Sequence, residues 1–346
     1  MGYHAFEECP AQIKETEGGV IYYEKWAIDY EDDIAAVVLR DGTVGIAAKA
    51  FRNCSSLTSI TIPDSVIGIA SDAFFGCNGL TSITIPDGVT SIGNYAFRNC
   101  SGLMSITIPD SVKSIGSGAF SGCSSLESIT IPFVGGSEGK TSSSTYQYPF
   151  GYIFGTSSYT GGTAVRQYYY GSSTSSATST NYYIPSSLRS VTVTGGNVLY
   201  GAFYNCSMLT SVTIGDGVTS IGSSAFYNCD NLKYNEYGNA YYLGNGTNPY
   251  LVLVDIIDVS ITSFVIGEQT RFIYDSAFYG CGGLTSITIP DGVTSIGYMA
   301  FAGCTGLTSV TFNGTIDEWN AIGKSIFWYV SCPFSEVVCS DGTVNV

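Results

Sequence analysis

Histidine is almost absent from the sequence, with His4 the single example among 346 residues. This scarcity excludes catalytic triads that depend on an imidazole base, metalloprotease motifs and histidine-rich metal sites. The eleven cysteines show no CxxC or Cys-His spacing of the kind that binds zinc. We therefore expect no catalytic residues, no resident metal ion and no cofactor.

Charged residues are also scarce, and positive ones are the scarcest. Lys and Arg number 13 against 28 Asp and Glu, which gives a formal net charge of -15. Such a chain repels nucleic acid and anionic membrane surfaces. No run reaches the roughly 18 apolar residues of a membrane span, so we expect neither nucleic-acid binding nor membrane insertion of this segment.

The first residues, MGYHAFEECP, have neither the basic start nor the apolar run of a signal peptide. Ala5, Phe6 and Cys9 match the end of a repeat whose beginning is missing. We therefore expect the sequence to be a fragment of a longer protein, cut within a repeat.

What the sequence does contain is an internal repeat. The dipeptide Ala-Phe, followed three residues later by Cys, occurs eight times between Ala50 and Cys304. Its phenylalanines are Phe51, Phe74, Phe97, Phe120, Phe203, Phe226, Phe278 and Phe301. Directly adjacent units are 23 residues apart. A fixed period of this size predicts stacked coils that cover each other's apolar faces.

One complete unit, LTSITIPDGVTSIGNYAFRNCSG, begins at Leu80. Its apolar residues are all predicted to face inward, and they are Leu80, Ile83, Ile85, Val89, Ile92, Ala96, Phe97 and Cys100. Asp87 and Gly88 are typical of a turn, in which we expect Gly88 to adopt a positive φ.

The pattern L-x-S-I-T-I-P-x-x-V-x-x-I-G-x-x-A-F-x-x-C closely resembles the BspA-like, or Treponema-type, leucine-rich repeat of bacterial surface proteins. The resemblance covers about Ala47 to Thr311. It implies a right-handed leucine-rich-repeat solenoid of about a dozen short β-strand coils, with short helical or irregular segments. It also implies a non-enzymatic protein, cell-surface or secreted, that acts in adhesion or protein binding.

We predict a single solenoid over residues 1–346, in seven segments. These are irregular N-terminal coils (1–46), regular repeats (47–132), a Tyr/Ser/Gly-rich insertion (133–183), regular repeats (184–232), degenerate repeats (233–276), regular repeats (277–312) and a C-terminal cap (313–346). In the cap, Thr315 and Glu318 are spaced as a capping box that begins a short helix. We expect Trp319 and Trp328 to cover the open end of the core, because the last coil needs large apolar side chains there, and we favour this role over a platform for sugars.

The insertion is the first candidate for ligand contact. Tyrosine supplies contact area at a low entropic cost, and small polar residues adapt their hydrogen bonds to a ligand. The candidate residues are Tyr146, Tyr148, Tyr152, Tyr159, Tyr168, Tyr169 and Tyr170. Two alternatives are a decoration packed on its own coils and a partly disordered linker from Ser172 to Thr180.

The second candidate is the outward face of the repeated strands, where Thr61, Thr84, Thr107 and Thr130 form a predicted polar ladder. A repetitive sheet face is a usual binding surface of solenoids, although threonine is also simply a good strand former. Five equivalent aspartates offer oxygen ligands for Ca²⁺. They are Asp64, Asp87, Asp110, Asp216 and Asp291. The turn at this place of the repeat favours aspartate by itself, so it explains these residues without a metal ion.

Nine cysteines share one repeat position, which favours packed free thiols over disulfide bridges. Cys332 and Cys339 fall outside that register in the sequence. In an oxidising compartment, the sequence leaves undecided whether they form a disulfide.

The leading hypothesis is recognition of a host or bacterial surface protein, or of a glycan, through the sheet face and the insertion. Two alternatives remain. One is a structural spacer that presents another domain of a larger surface protein. The more remote one is a glycan-active enzyme, which would need a suitably separated carboxylate pair.

Overall fold

The structure is a computed structural model that describes residues 14–31, 34–139, 146–170 and 177–346. His4 and the partial repeat at Ala5, Phe6 and Cys9 lie outside these residues. The chain is a β-solenoid of about 13 turns with a period of about 23 residues and almost no helix. The prediction of a 23-residue repeat solenoid is confirmed.

Each regular coil buries the apolar residues that the repeat pattern places inward. In the unit that begins at Leu80, all eight of these side chains are at most 8% exposed. Each regular coil therefore adds a layer to the core of its own unit, and burial of apolar surface between neighbouring layers stabilises the stack.

Contacts divide the chain into two compact units, one comprising residues up to Ser211 with Ala225–Leu232 and the other Val212–Ser224 with Lys233–Val346. The strands of the first unit are β1 (Glu15–Glu17), β2 (Val20–Tyr23), β3 (Trp26–Tyr30), β4 (Ala36–Val38), β5 (Gly45–Ile46), β6 (Ser59–Thr61), β7 (Gly68–Ile69), β8 (Ser91–Ile92), β9 (Ser105–Thr107), β10 (Ser114–Ile115), β11 (Ser128–Ile131), β12 (Gly162–Tyr170), β13 (Ala177–Pro185) and β14 (Ser190–Val198).

Two faces of these coils matter below. The threonine sheet contains β9, β11 and β14, which pair in parallel. The serine-glycine sheet has the order β1-β2-β3-β5-β7-β8-β10. β4 pairs with β6 separately, and β12 and β13 form an antiparallel hairpin. A single turn of 3₁₀ helix at Phe150–Ile153 precedes the hairpin.

The second unit contains β15 (Ser211–Ile221), β16 (Asn235–Tyr237), β17 (Ala240–Leu243), β18 (Val252–Ile256), β19 (Ser263–Val265), β20 (Phe272–Ile273), β21 (Ser286–Ile289), β22 (Ser295–Ile296), β23 (Ser309–Phe312), the helix α1 (Ile316–Ala321), β24 (Gly323–Lys324), β25 (Glu336–Cys339) and β26 (Gly342–Asn345). One sheet has the order β16-β17-β18-β20-β22-β24, and another has the order β19-β21-β23-β25-β26.

The two irregular segments share a local form that the repeat pattern does not specify. In the N-terminal coils, β1, β2 and β3 form an antiparallel meander, and β3 then pairs in parallel with β5. In segment 233–276, β16, β17 and β18 repeat that arrangement, and β18 pairs in parallel with β20. A meander therefore replaces the regular coil in both segments.

A ladder of phenylalanine rings lies along the core of the regular coils. Phe74 stacks on Phe51 and on Phe97, with ring centroids 5.3 Å apart in both pairs. The neighbouring cysteines donate to the backbone of the preceding coil, as the thiol of Cys100 does to the carbonyl oxygen of Phe74 at 3.1 Å. The cysteine column is therefore a structural hydrogen-bond ladder of free thiols.

Left-handed backbone occurs at two fixed places of the repeat, just before the Ala-Phe pair and just before the cysteine. Asn99 has φ 60° and Gly122, its equivalent in the next coil, has φ 78°. Gly88 does not have a positive φ, so that expectation is wrong. Close packing explains this glycine instead, because a Cβ there would lie 2.2 Å from the carbonyl oxygen of Asp64.

The C-terminal cap matches its predicted chemistry. Thr315 and Glu318 form the capping box of α1, with both reciprocal hydrogen bonds present. Trp319 and Trp328 are 3% and 6% exposed, and their ring centroids are 5.9 Å apart. These indoles belong to the core of the second unit and are not an exposed sugar platform.

Candidate functional site

The predicted threonine ladder is formed where parallel strands of consecutive coils pair in register. Thr84 pairs with Thr107, and Thr107 pairs with Thr130. Ile106 and Ile129, which alternate with these threonines, are at most 3% exposed. Because side chains alternate across a strand, the threonines point outward where the isoleucines point inward. Threonines on neighbouring strands are then about 4.8 Å apart. Thr61 is exposed on β6, where it pairs with Val38.

A groove of about 770 Å³ lies over this ladder. Thr84, Thr107 and Thr130 line it, and Asp87 and Asp110 border it. The structure thus brings three of the four predicted threonines together, and it adds two of the turn aspartates to the same surface.

The turn aspartates take part in local hydrogen bonds. Thr194 donates its hydroxyl to the Oδ1 atom of Asp110 at 2.5 Å. In the second unit, Asn245 donates its amide to the Oδ1 atom of Asp216 at 2.8 Å. Among the residues that the structure describes, no group of three or more His, Cys, Asp or Glu side chains is arranged to hold a metal ion.

The tyrosine-rich insertion contains a hairpin that packs on the coils by its inner face. Val165, Gln167 and Tyr182 are at most 2% exposed. The Gln167 side chain accepts a hydrogen bond from the backbone of Gly151 at 2.6 Å and donates one to the carbonyl oxygen of Ala202 at 3.0 Å. One buried amide thereby satisfies a backbone group of the 3₁₀ turn and one of the following coil.

A tyrosine on the outer face of the hairpin forms a row with tyrosines of the following coils. The ring of Tyr168 lies 4.8 Å from that of Tyr204, which in turn lies 4.8 Å from Tyr227. We call these three residues the tyrosine row. Tyr227 is 52% exposed, and the Arg166 guanidinium lies 5.6 Å from the ring centroid of Tyr168. Partial burial and the neighbouring phenols raise the pKa of Tyr204.

Sequence reasoning missed Tyr204 and Tyr227. A signal for them was available, because both directly follow the repeated phenylalanine. The other coils carry Arg52, Phe75, Arg98, Ser121, Tyr279 and Ala302 at this position. Stacked coils place equivalent residues side by side, so two tyrosines one period apart predict a ring pair.

The remaining candidate tyrosines are less available to a ligand. Tyr146 is 49% exposed, and its ring lies 6.0 Å from that of Tyr152, which is 9% exposed. Tyr148, Tyr159 and Tyr169 are half-buried. Burial raises the pKa of Tyr159. Tyr170 is the last residue of β12, and its side chain lies outside the described part of the structure.

The part of the chain that the structure describes contains no helix with the length and hydropathy required to cross a bilayer. No curated protein matches the sequence. A family model, described as BspA type leucine-rich repeat region, matches residues 44–138, 169–245 and 258–343, which together are well over half of the chain.

Several solved structures are similar to the chain. A leucine-rich repeat protein from T. pallidum is 23% identical, with 65% of this chain and 91% of that chain covered and a TM-score of 0.33. A leucine-rich repeat protein from Bacteroides ovatus is 22% identical, with 93% and 90% covered and a TM-score of 0.29. A leucine-rich cell surface protein from Faecalibacterium prausnitzii is 25% identical, with 90% and 89% covered and a TM-score of 0.25.

Proposed function

The chain belongs to the BspA-type leucine-rich repeat family, and on this premise we propose that it is a non-enzymatic adhesion or recognition module of a cell-surface or secreted protein. Its partner is a host or bacterial surface protein, or a glycan on such a surface. The groove over Thr84, Thr107 and Thr130 carries the proposal, because its hydroxyl groups are in register. A rigid backbone holds these groups, so little conformational entropy is lost on binding.

The tyrosine row supports a second contact surface in the same unit. Tyr227 and Tyr204 present ring area and hydroxyl groups, which suit a mixed apolar and polar partner. Neither surface carries a high charge density, so contact is shallow and distributed over several coils. We expect weak contacts at each coil that add up along the partner.

The non-enzymatic part of the proposal rests on the geometry of the available carboxylates. Asp87 and Asp110 border an open groove, and Asp110 already accepts a hydrogen bond from Thr194. A glycosidase places two carboxylates on either side of the scissile bond. Two turn residues on the exposed rim of an open groove do not provide that arrangement.

The experiment is binding of the protein to panels of host matrix proteins, bacterial surface proteins and glycans. Thr107→Arg places a long charged side chain in the groove, and Tyr204→Ala with Tyr227→Ala removes two members of the row. Thr288→Arg is the matched control, because Thr288 lies at the equivalent outward position of β21 in the second unit. Deletion of the whole insertion is unsuitable, because Phe150 and Phe154 are fully buried.

We expect at least one panel member to bind, and Thr107→Arg to weaken that binding about tenfold or more, equivalent to about 1.4 kcal/mol. The control should retain wild-type affinity. Loss of binding only in the double tyrosine variant would assign recognition to the tyrosine row. An absence of binding to every panel member would favour the structural spacer.

A further inference from the structure

Two arginines of the first unit donate no side-chain hydrogen bond to the part of the chain that the structure describes. They are Arg52 and Arg98. The other four arginines of the sequence each donate to a carboxylate, a hydroxyl or a carbonyl oxygen, and they are Arg40, Arg166, Arg189 and Arg271. A guanidinium group has five N–H donors. This pair therefore has donors that a ligand can use.

Both arginines pack on the ring of Phe75, which lies in the coil between theirs. The Cζ atom of Arg52 is 4.6 Å from the ring centroid, and that of Arg98 is 5.6 Å from it. Arg98 also lies 5.2 Å from the ring centroid of Tyr95. We call Arg52, Phe75 and Arg98 the arginine stack. Because the rings restrict both side chains before a ligand arrives, less conformational freedom is lost on binding.

The Arg98 guanidinium is partly removed from water without gaining an acceptor. Its Nε atom is buried and has no hydrogen-bond partner among the described residues, whereas its two Nη atoms are not buried. A charged donor that loses water and gains no acceptor is unfavourable. An anion at the Nη atoms would offset this charge. The side chain thus indicates both that a ligand is accommodated here and that the ligand is negative.

Arg52 has one carboxylate nearby. The Oδ1 atom of Asp72 is 3.9 Å from the Nη1 atom of Arg52, which is too long for a hydrogen bond. The Asp72 side chain is 7% exposed and that of Arg52 is 38% exposed. The carboxylate therefore attracts the guanidinium from a buried position, and the N–H donors of Arg52 stay accessible.

The solenoid does not require arginine at this place of the repeat. The residue that follows the repeated phenylalanine in the other coils is Ser121, Tyr204, Tyr227, Tyr279 or Ala302. Arg52, Phe75 and Arg98 are only partly buried, unlike the inward residues of the same coils. The arginine stack is thus a local feature of the surface of these three coils.

The spacing and the total charge select the kind of anion. Arg52 and Arg98 are two coils apart, which is roughly 10 Å, and an apolar ring lies between them. Residues three positions apart in a polyproline II segment share a face and are about 9 Å apart. A net charge of -15 repels a polyanion such as nucleic acid or a heavily sulfated glycan. The arrangement fits two carboxylates with an apolar group between them.

From these observations we propose that the arginine stack binds an acidic peptide segment of a partner protein, with two acidic residues three positions apart. Each carboxylate accepts hydrogen bonds from the Nη atoms of one arginine, and an apolar side chain between them contacts Phe75. Arg52 also borders the groove of about 850 Å³ over the serine-glycine sheet, so the rest of the peptide has open space at that end. This inference rests on the proposed recognition function and names a ligand class at a separate surface.

The test measures binding of labelled peptides by fluorescence anisotropy. The probe carries Glu-Leu-Pro-Glu at its centre, because proline favours the polyproline II conformation. A second peptide has Gln in place of both Glu residues, and a uronic acid oligosaccharide and single-stranded DNA are the other anions. The variants are Arg52→Gln, Arg98→Gln and Arg98→Lys. Lys113→Gln is the matched control, because it removes a positive charge from an exposed ion pair with Glu138 in the same unit.

We expect the acidic peptide to bind, and its affinity to fall as the salt concentration rises. Arg52→Gln and Arg98→Gln should each weaken binding about tenfold or more. Arg98→Lys should also weaken it, because an ammonium group lacks the planar fork that pairs with a carboxylate. Lys113→Gln should bind as the wild type does. An absence of binding, equal binding of the Gln peptide, a preference for the sugar or DNA, or wild-type affinity in both Gln variants would overturn the proposal.

The threonine groove and the arginine stack can succeed or fail separately. Thr107→Arg, which tests the groove, should leave peptide binding unchanged. Peptide binding without any effect of Thr107→Arg on the panel partners would support the stack and contradict the groove. The reverse result would contradict the stack alone.

The arginine Nε–H resonances in the NMR spectrum provide a second readout, taken on the wild-type protein, that does not depend on the folding of a variant. We expect saturable shifts of the Arg52 and Arg98 resonances as the acidic peptide is added. The resonance of Arg189, which donates to the carbonyl oxygen of Ser186, should stay unchanged. A peptide that binds without moving the Arg98 resonance would contradict the site.

Discussion

The thiol of Cys332 donates a hydrogen bond to the carbonyl oxygen of Phe301 at 3.0 Å. This is the contact that Cys304 makes with Phe278 in the preceding coil, at 3.1 Å. Cys332 is therefore a member of the cysteine column, and the expectation that it lies outside the repeat register is wrong. The register was hidden because the segment that contains α1 lengthens this coil. Cys332 and Cys339 both carry free thiols.

The position of Cys332 predicts selective thiol chemistry. Interaction with Cys304 lowers the pKa of Cys332, which is only partly buried. Burial raises the pKa of Cys123 to about 12, and it also raises the pKa of Cys77. Because the thiolate is the reactive form, iodoacetamide should modify Cys332 first as the pH rises from about 7 to about 9.

Peptide-resolved mass spectrometry of the native protein checks this order of labelling. Cys332→Ser is the control, and it should remove the fast phase among the cysteines at positions 54–339. Equal labelling rates for Cys332 and Cys77 in the folded protein would show that burial does not protect the column.

Removal of one ring from the phenylalanine ladder should destabilise the first unit strongly. Phe74 is fully buried between Phe51 and Phe97, so Phe74→Ala leaves a cavity on both sides. We expect a loss of about 3–5 kcal/mol in the free energy of unfolding. Urea denaturation followed by Trp26 fluorescence measures it. Tyr227→Ala, at an exposed ring, should cost less than about 1 kcal/mol; similar losses in the two variants would contradict the ladder.

The docking of the hairpin should depend on Gln167. Substitution by Ala leaves the backbone groups of Gly151 and Ala202 without these buried partners. Each such group costs about 1–3 kcal/mol, so Gln167→Ala should expose β12 and β13 to faster amide hydrogen exchange. Arg166→Ala, on the outer face, serves as the control. Unchanged exchange in the Gln167 variant would mean that apolar packing alone holds the hairpin.

Asp275 gives the second unit a pH dependence. Its carboxylate accepts hydrogen bonds from the backbone of Ser224 and Tyr298, both at 2.7 Å. Burial raises its pKa despite these bonds. A raised pKa in the folded state means that the folded protein binds the proton more tightly. The stability from Asp275 is therefore complete below its unfolded pKa and decreases as the pH rises through its folded pKa.

Asp275→Asn removes this titration, and urea denaturation between about pH 3 and pH 7 measures the effect. The free energy of unfolding of the wild type should exceed that of the variant most at the acidic end. This difference should shrink as the pH increases. Asp291→Asn, at an exposed turn, is the matched control. An advantage that grows with pH would show that the hydrogen bonds outweigh the burial of the charge.

The inward residues of the regular coils were predictable because each lies at a fixed place of a 23-residue period. Leu80, Phe97 and Cys100 needed no tertiary information, since no single unit can bury them alone. The capping box of Thr315 and Glu318 was predictable for a similar reason, because it involves residues three positions apart.

Contacts between distant residues were not predictable from the period. The meander at β1, β2 and β3, the hydrogen bonds of Gln167 to Gly151 and Ala202, and the ring of Trp26 over Gly45 all depend on how irregular segments return to the coils. The threonine ladder was predicted, but the groove above it depends on where Thr194 and the turn aspartates lie.

The sequence by itself determined the repeat, the inward face of each coil and the family. The reason is that stacking places residues one period apart in the sequence side by side in the structure. Only the tertiary structure decided where the groove over the threonine ladder lies and how the hairpin brings Tyr168 beside Tyr204. The hairpin lies where the period is broken, and there the conformation depends on contacts between residues far apart in the chain.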